Sequence, residues 1–97
     1  MRNVDWSPRA LADIERLDGF LRAKNPSAAE RATIAIRDAA EGLGLFPERG
    51  RPLGGVHQGF RELLVEFGSS GYAILYHPRT GRPIIVAIKH FREEGYS

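Results

Sequence analysis

The side chains best suited to chemistry lie together near the C-terminus: Lys89, His90, Arg92 and Tyr96. A ribonuclease that cuts by attack of the ribose 2′-hydroxyl needs a base, an acid and cations on the phosphate, and imidazole, phenol and guanidinium can fill those roles. A plainer use exists for the same residues. His90 and Tyr96 can pack the end of a sheet while Arg92 pairs with Glu93, Glu94 or Glu62, and residue types alone favour that use. Other catalytic patterns are missing. Gly54-Gly55 lies in a loop, and Gly68–Gly71 joins two apolar runs rather than opening a phosphate-binding helix. His57, His77 and His90 have no close ligand spacing and no cysteine to help them, so no metal site is expected. Ser69 and Ser70 sit in a turn between strands, not at a strand-to-helix elbow. Asp13, Glu15, Glu93 and Glu94 are most simply surface charges.

The elements that must position these groups fit in one domain, residues 1–97. Composition is that of a globular chain, 42% hydrophobic and 27% charged. The absence of cysteine excludes disulfide and thiolate chemistry. No apolar run approaches the roughly 18 residues of a membrane span, and no signal-peptide pattern opens the chain, so a cytoplasmic protein is expected. A net charge of +2 is too small to imply nucleic-acid binding by itself. The arginines do gather locally, Arg49 with Arg51 and Arg79 with Arg82, either as solvated surface or as a patch for phosphates or an acidic partner.

Residues 2–6 read as extended and end at Ser7-Pro8, an N-cap followed by proline at the first helical position. Leu11, Ile14, Leu17 and Leu21 then recur at helical spacing, with Ala10 and Phe20 widening the stripe and Arg9, Asp13, Arg16 and Arg22 opposite. Asn25-Pro26 repeats the start signal, and Ala28/Ala29, Ala32, Ala35/Ile36, Ala39/Ala40 and Leu43 make a small apolar stripe. Two such helices predict a tight antiparallel hairpin. An irregular loop follows from Pro47 to Gly59. Phe60–Phe67 alternates Leu63, Val65 and Phe67 against Glu62 and Glu66, Tyr72–His77 forms a second strand, and the apolar Ile84–Ile88 a third, running on into Lys89-His90-Phe91. The last reads as a strand covered on both faces. The expected architecture is α+β, strand–helix–helix–strand–strand–strand, with the hairpin on one face of a mostly antiparallel sheet.

Landmarks along nearly the whole chain resemble the RelE/ParE superfamily of type II toxins. These are Trp6-Ser7-Pro8-Arg9-Ala10 with Asp13-Ile14, Asn25-Pro26 with Ala28-Ala29, and Phe46-Pro47 with Gly50-Arg51-Pro52. Arg61-Glu62-Leu63, Gly71-Tyr72-Ala73-Ile74-Leu75-Tyr76 and Ile88-Lys89-His90 with Arg92 and Gly95-Tyr96 complete the set. The resemblance implies a toxin neutralised by a cognate antitoxin, a small ParD-like DNA-binding protein whose acidic tail wraps the toxin in a hetero-oligomer, with no cofactor. RelE-like members cleave mRNA on the ribosome, and ParE-like members inhibit DNA gyrase. In the nucleases an arginine follows the Gly-Tyr of the second sheet strand and basic residues line the preceding strand. Here Ala73 and Glu66 stand at those places, and neither can neutralise a phosphate. These departures favour the ParE-like branch, a gyrase inhibitor that is not itself an enzyme and meets its target through Lys89, His90, Arg92 and Tyr96. The alternative is an mRNA endoribonuclease using Arg61, His90, Arg92 and Tyr96, although Arg61 could equally anchor the C-terminal carboxylate or Glu94.

Overall fold

The structure, a computed structural model, describes residues 4–96. Arg2 and Asn3 of the expected first strand, and Ser97 of the tail, lie outside the described residues. The elements are β1 (Asp5–Trp6), α1 (Pro8–Arg22), α2 (Pro26–Gly42), β2 (Arg51–Pro52), β3 (Arg61–Phe67), β4 (Ser70–His77) and β5 (Ile84–His90). Both helices begin where the cap-then-proline signals predict. The Ser7 hydroxyl accepts the Ala10 N–H at 3.0 Å, and the Asn25 side-chain carbonyl accepts that of Ala28 at 3.0 Å. Each satisfies a backbone donor that the helix itself leaves free.

Five strands form one mixed sheet in the order β1-β5-β4-β3-β2. β1 runs parallel to β5, and every other pairing is antiparallel. The helical hairpin lies on one face, giving the α+β architecture expected. Its small residues allow the close approach: Ala10, Ala29, Ala32 and Ala40 are buried with Ile14, Leu17, Ile36 and Leu43. The sheet answers with Val65, Tyr72, Ile74, Tyr76, Ile85 and Ile88. β4 is central, and six of its eight residues are buried, so both of its faces are covered. A register shift opposite Leu75 and Tyr76 places Ala87 and Lys89 on the face away from the helices while Ile85 and Ile88 stay in the core.

Four expectations need correction. Leu11 and Phe20, read as part of the apolar stripe, are 44% and 67% exposed, because the sheet contacts a narrower band of α1 than the periodicity allows. Asp13, read as a surface charge, is buried; its carboxylate accepts the Ile88 N–H from β5. Glu62, read as the solvent side of β3, is 8% exposed while Leu64, two residues on, is exposed. The Pro47–Gly59 loop, read as the most irregular stretch of the chain, contains β2, two residues added to the edge of β3, and a short 3-10 turn over Gly55–His57.

Candidate functional site

The face of the sheet turned away from the helices is built from Glu62 on β3, Ala73 and Leu75 on β4, and Ala87 and Lys89 on β5, which lie opposite one another in register. Side chains at paired positions of neighbouring strands share a face. Two pieces of chain close over it, the loop carrying Arg51 and His57 and the tail carrying Tyr96. The Tyr96 hydroxyl donates to Glu62 Oε2 at 2.7 Å. Arg51 donates through Nε and Nη2 to Glu62 Oε1, at 3.1 and 2.7 Å. Lys89 Nζ lies 5.4 Å from the Tyr96 ring centroid and donates to the Glu93 carbonyl. His57 meets the same ring edge-on at 6.0 Å.

The electrostatics follow from that arrangement. Burial by itself would push the Glu62 carboxyl up, but the Tyr96 hydroxyl and the Arg51 guanidinium, with Lys89 beyond, hold it below its ordinary value. Tyr96 moves the other way: its burial, and then the Glu62 carboxylate at its hydroxyl, raise the phenol far above its ordinary range. Tyr96 is therefore a committed donor and a poor proton acceptor at neutral pH. Glu62 is ionised and its oxygens are occupied. The cluster latches the tail to a strand.

The sequence candidates divide between the two faces. Lys89 and Tyr96 belong to the open face just described. His90 pairs in register with Tyr72 and meets its ring edge-on at 5.4 Å, which places it on the helix side. Its Nδ1 accepts the Arg92 N–H. Arg61 is also on the helix side, opposite Tyr76, but its Nη1 is held by the carbonyls of Glu48 at 3.1 Å and Gly50 at 2.6 Å. It anchors a loop through these two carbonyls, and no bond to Glu94 occurs among the described residues. Tyr72 and Tyr76 are four residues apart on β4, so Arg61 and His90 are separated by about 13 Å along the strand direction alone, and they flank β4 on opposite sides. Arg92 is exposed and forms no ion pair among the described residues. Arg61 and His90 thus lie on the helix side of the sheet, while the Tyr96 hydroxyl is bonded to Glu62 on the open face. Among the described residues no group of His, Asp and Glu is placed to hold a metal ion, and no helix is long and apolar enough to cross a membrane.

Sequence reasoning missed Arg51 and Glu62 as partners of Tyr96. One signal was present: a central strand as apolar as Tyr72–Tyr76 needs cover on both faces, including the face that carries Glu62.

A helical hairpin on one face of a five-stranded mixed sheet, closed on the other by a latched C-terminal tail, defines the class as a RelE/ParE-type α+β toxin fold. Residues 4–95 match the family described as "ParE toxin of type II toxin-antitoxin system, parDE". Toxin RelE3 of Caulobacter vibrioides is 37% identical over 93 residues, covering 96% of this chain and 98% of its own. Among solved structures, the chromosomal ParDE toxin–antitoxin system of P. aeruginosa superposes with a TM-score of 0.76 at 19% identity, covering 93% of this chain and 96% of that one. The toxin–antitoxin complex RelBE2 of Mycobacterium tuberculosis does so with a TM-score of 0.65 at 22% identity, covering 92% and 96%. The chain belongs to the ParE toxin family of type II toxin–antitoxin systems, within the RelE/ParE superfamily.

Proposed function

We propose that this toxin arrests growth by binding a protein target, DNA gyrase, and that a cognate antitoxin neutralises it by occupying its surface. The observation that carries this reading is the dispersal of the catalytic candidates: Arg61 holds two loop carbonyls about 13 Å along the sheet from His90, and the Tyr96 hydroxyl is spent on Glu62. A nuclease that attacks through the 2′-hydroxyl needs its base, acid and phosphate-binding cation around one phosphorus. Ala73 opposite Lys89 adds no cation at the centre of the open face. Lys89, His90, Arg92 and Tyr96 instead sit around the end of β5, where a protein partner can meet both faces at one sheet corner.

A gyrase assay with purified toxin, supercoiled plasmid and ATP tests this. Linear DNA released by detergent and protease is the expected result. If gyrase turns over normally while translating ribosomes accumulate cleaved mRNA, the nuclease reading replaces it. The name RelE carried by the curated relatives makes that the second arm to run.

A further inference from the structure

Glu62 puts a charge where the surroundings do not call for one. It is buried, and its neighbours in register, Leu75 on β4 and Ala87 on β5, are buried and apolar. A buried ion pair seldom makes a fold more stable than well-packed apolar side chains would. Stability alone therefore does not account for a carboxylate at this position.

The groups that converge on the carboxylate share one property: each is a donor. Arg51 engages Oε1 through two nitrogens, and the Tyr96 hydroxyl engages Oε2. Lys89 adds its charge from β5. Burial and the carboxylate itself keep the Tyr96 phenol protonated, so it remains a donor. A guanidinium, an ammonium and a phenol around one point can hold phosphate oxygens as readily as carboxylate oxygens. Glu66 gives the contrast. It lies on the same strand and the same face, yet it is exposed and forms no ion pair among the described residues. Its charge is solvated, whereas that of Glu62 is gripped by side chains from β2 and from the tail.

We infer that the Glu62 carboxylate occupies, from within the chain, an anion site formed by Arg51, Lys89 and Tyr96, and so bars phosphodiesters from the open face of the sheet. An incoming phosphate meets a like charge and finds the donors already engaged. Glu62 is thus a specificity residue, which reserves the open face for partners that bring no phosphate. The inference rests on the reading of this chain as a protein-binding toxin, and it assigns the residue by which an RNA strand is refused.

The test is a gain of binding, which the loss of a merely structural contact would not produce. Inorganic phosphate is the probe, titrated at constant ionic strength against the melting temperature of the full chain. Glu62→Ala removes the internal anion. It is expected to melt below the wild type in chloride and to recover by several degrees as phosphate reaches millimolar concentrations. The wild type should respond far less, and so should Glu66→Ala, which loses the same charge from the same face. The double variant Glu62→Ala/Arg51→Ala should lose the recovery, because the site has lost its guanidinium. A response in Glu62→Ala no larger than that of the wild type or of Glu66→Ala overturns the inference and leaves the protein-target reading standing. If Glu62→Ala does not fold, Glu62→Gln keeps the side-chain shape without the charge. Fluorescence anisotropy with a short single-stranded RNA should then show at least about threefold tighter binding to Glu62→Gln than to the wild type, and equal affinity overturns the inference. A wild-type chain that itself binds and cleaves the RNA overturns both this inference and the protein-target reading.

Discussion

The carboxylate of Asp13 on α1 accepts the backbone N–H of Ile88 on β5 at 2.9 Å. Among the described residues β1 pairs with Ile84 and Ile85 alone, and the outer edge of β5 beyond them has no neighbouring strand. Side chains take its place. The Ser7 hydroxyl donates to the Val86 carbonyl, Asp13 receives Ile88, Arg16 reaches the Ile88 carbonyl, and Glu93 accepts the His90 N–H. An edge that would otherwise recruit another chain is closed by a helix.

Asp13→Ala should therefore lower stability by about 2–3 kcal/mol, the cost of a buried backbone donor losing a charged acceptor. Thermal or urea unfolding measures it. A change within error would mean that water replaces the carboxylate at that edge.

Tyr76 does for the loop what Asp13 does for the edge. Its hydroxyl donates to the Pro47 carbonyl at 2.7 Å and accepts the Gly50 N–H at 2.8 Å. Tyr76→Phe leaves both loop groups unpaired and is expected to cost about 2–3 kcal/mol. Gly50→Ala should be at least as damaging, because a Cβ there would lie 2.7 Å from the Tyr76 ring and 2.8 Å from the Glu62 carbonyl. Urea denaturation of the two variants checks both expectations.

Arg61→Ala separates a structural arginine from a catalytic one. Loss of its bonds to Glu48 and Gly50 should cost about 1–3 kcal/mol and lower the melting temperature. Growth arrest should fall only as far as the folded fraction does. A fully stable variant without toxicity would return Arg61 to the active residues.

The latch between Glu62 and Tyr96 sets a pH dependence. Glu62 titrates below its ordinary value near 4.5 in the folded chain, so the unfolded chain binds its proton first. The resulting stabilisation is complete above the unfolded value and is lost as pH falls through the folded one. Stability should decline below about pH 4.5, and Glu62→Gln should remove that part of the decline while lowering stability at neutral pH. Parallel unfolding curves of wild type and variant across pH 3–7 reveal it, and identical slopes would exclude the latch as the cause.

Local signals were legible and distant partners were not. Ser7-Pro8 and Asn25-Pro26 marked both helix starts because a cap and its donor lie three residues apart. The alternation of β3 placed Leu63, Val65 and Phe67 on the helix side for the same reason. Asp13 and Glu62 were misplaced because what buries them comes from 75 and 34 residues away. A charged residue on a periodic element reads as solvent-facing until its long-range partner is known. Leu11 and Phe20 failed differently: period 3.6 gives the direction of an apolar stripe and not its width. The candidate site was legible as residue types around the end of β5, but its division between two faces depended on the register with β4.

β1 docks beside the strand formed almost last in the chain, with the Ser7 hydroxyl bonded to a carbonyl 79 residues away. On a translating ribosome the helical hairpin can form early, since its contacts are local, but the sheet stays unfinished until residues 84–90 emerge. A nascent chain therefore lacks the β5 corner on which Lys89, His90 and Arg92 stand. On the proposed reading of that corner as the target contact, synthesis itself imposes a delay between making this toxin and arming it, and a chain ending before residue 84 is expected to lack growth-arrest activity.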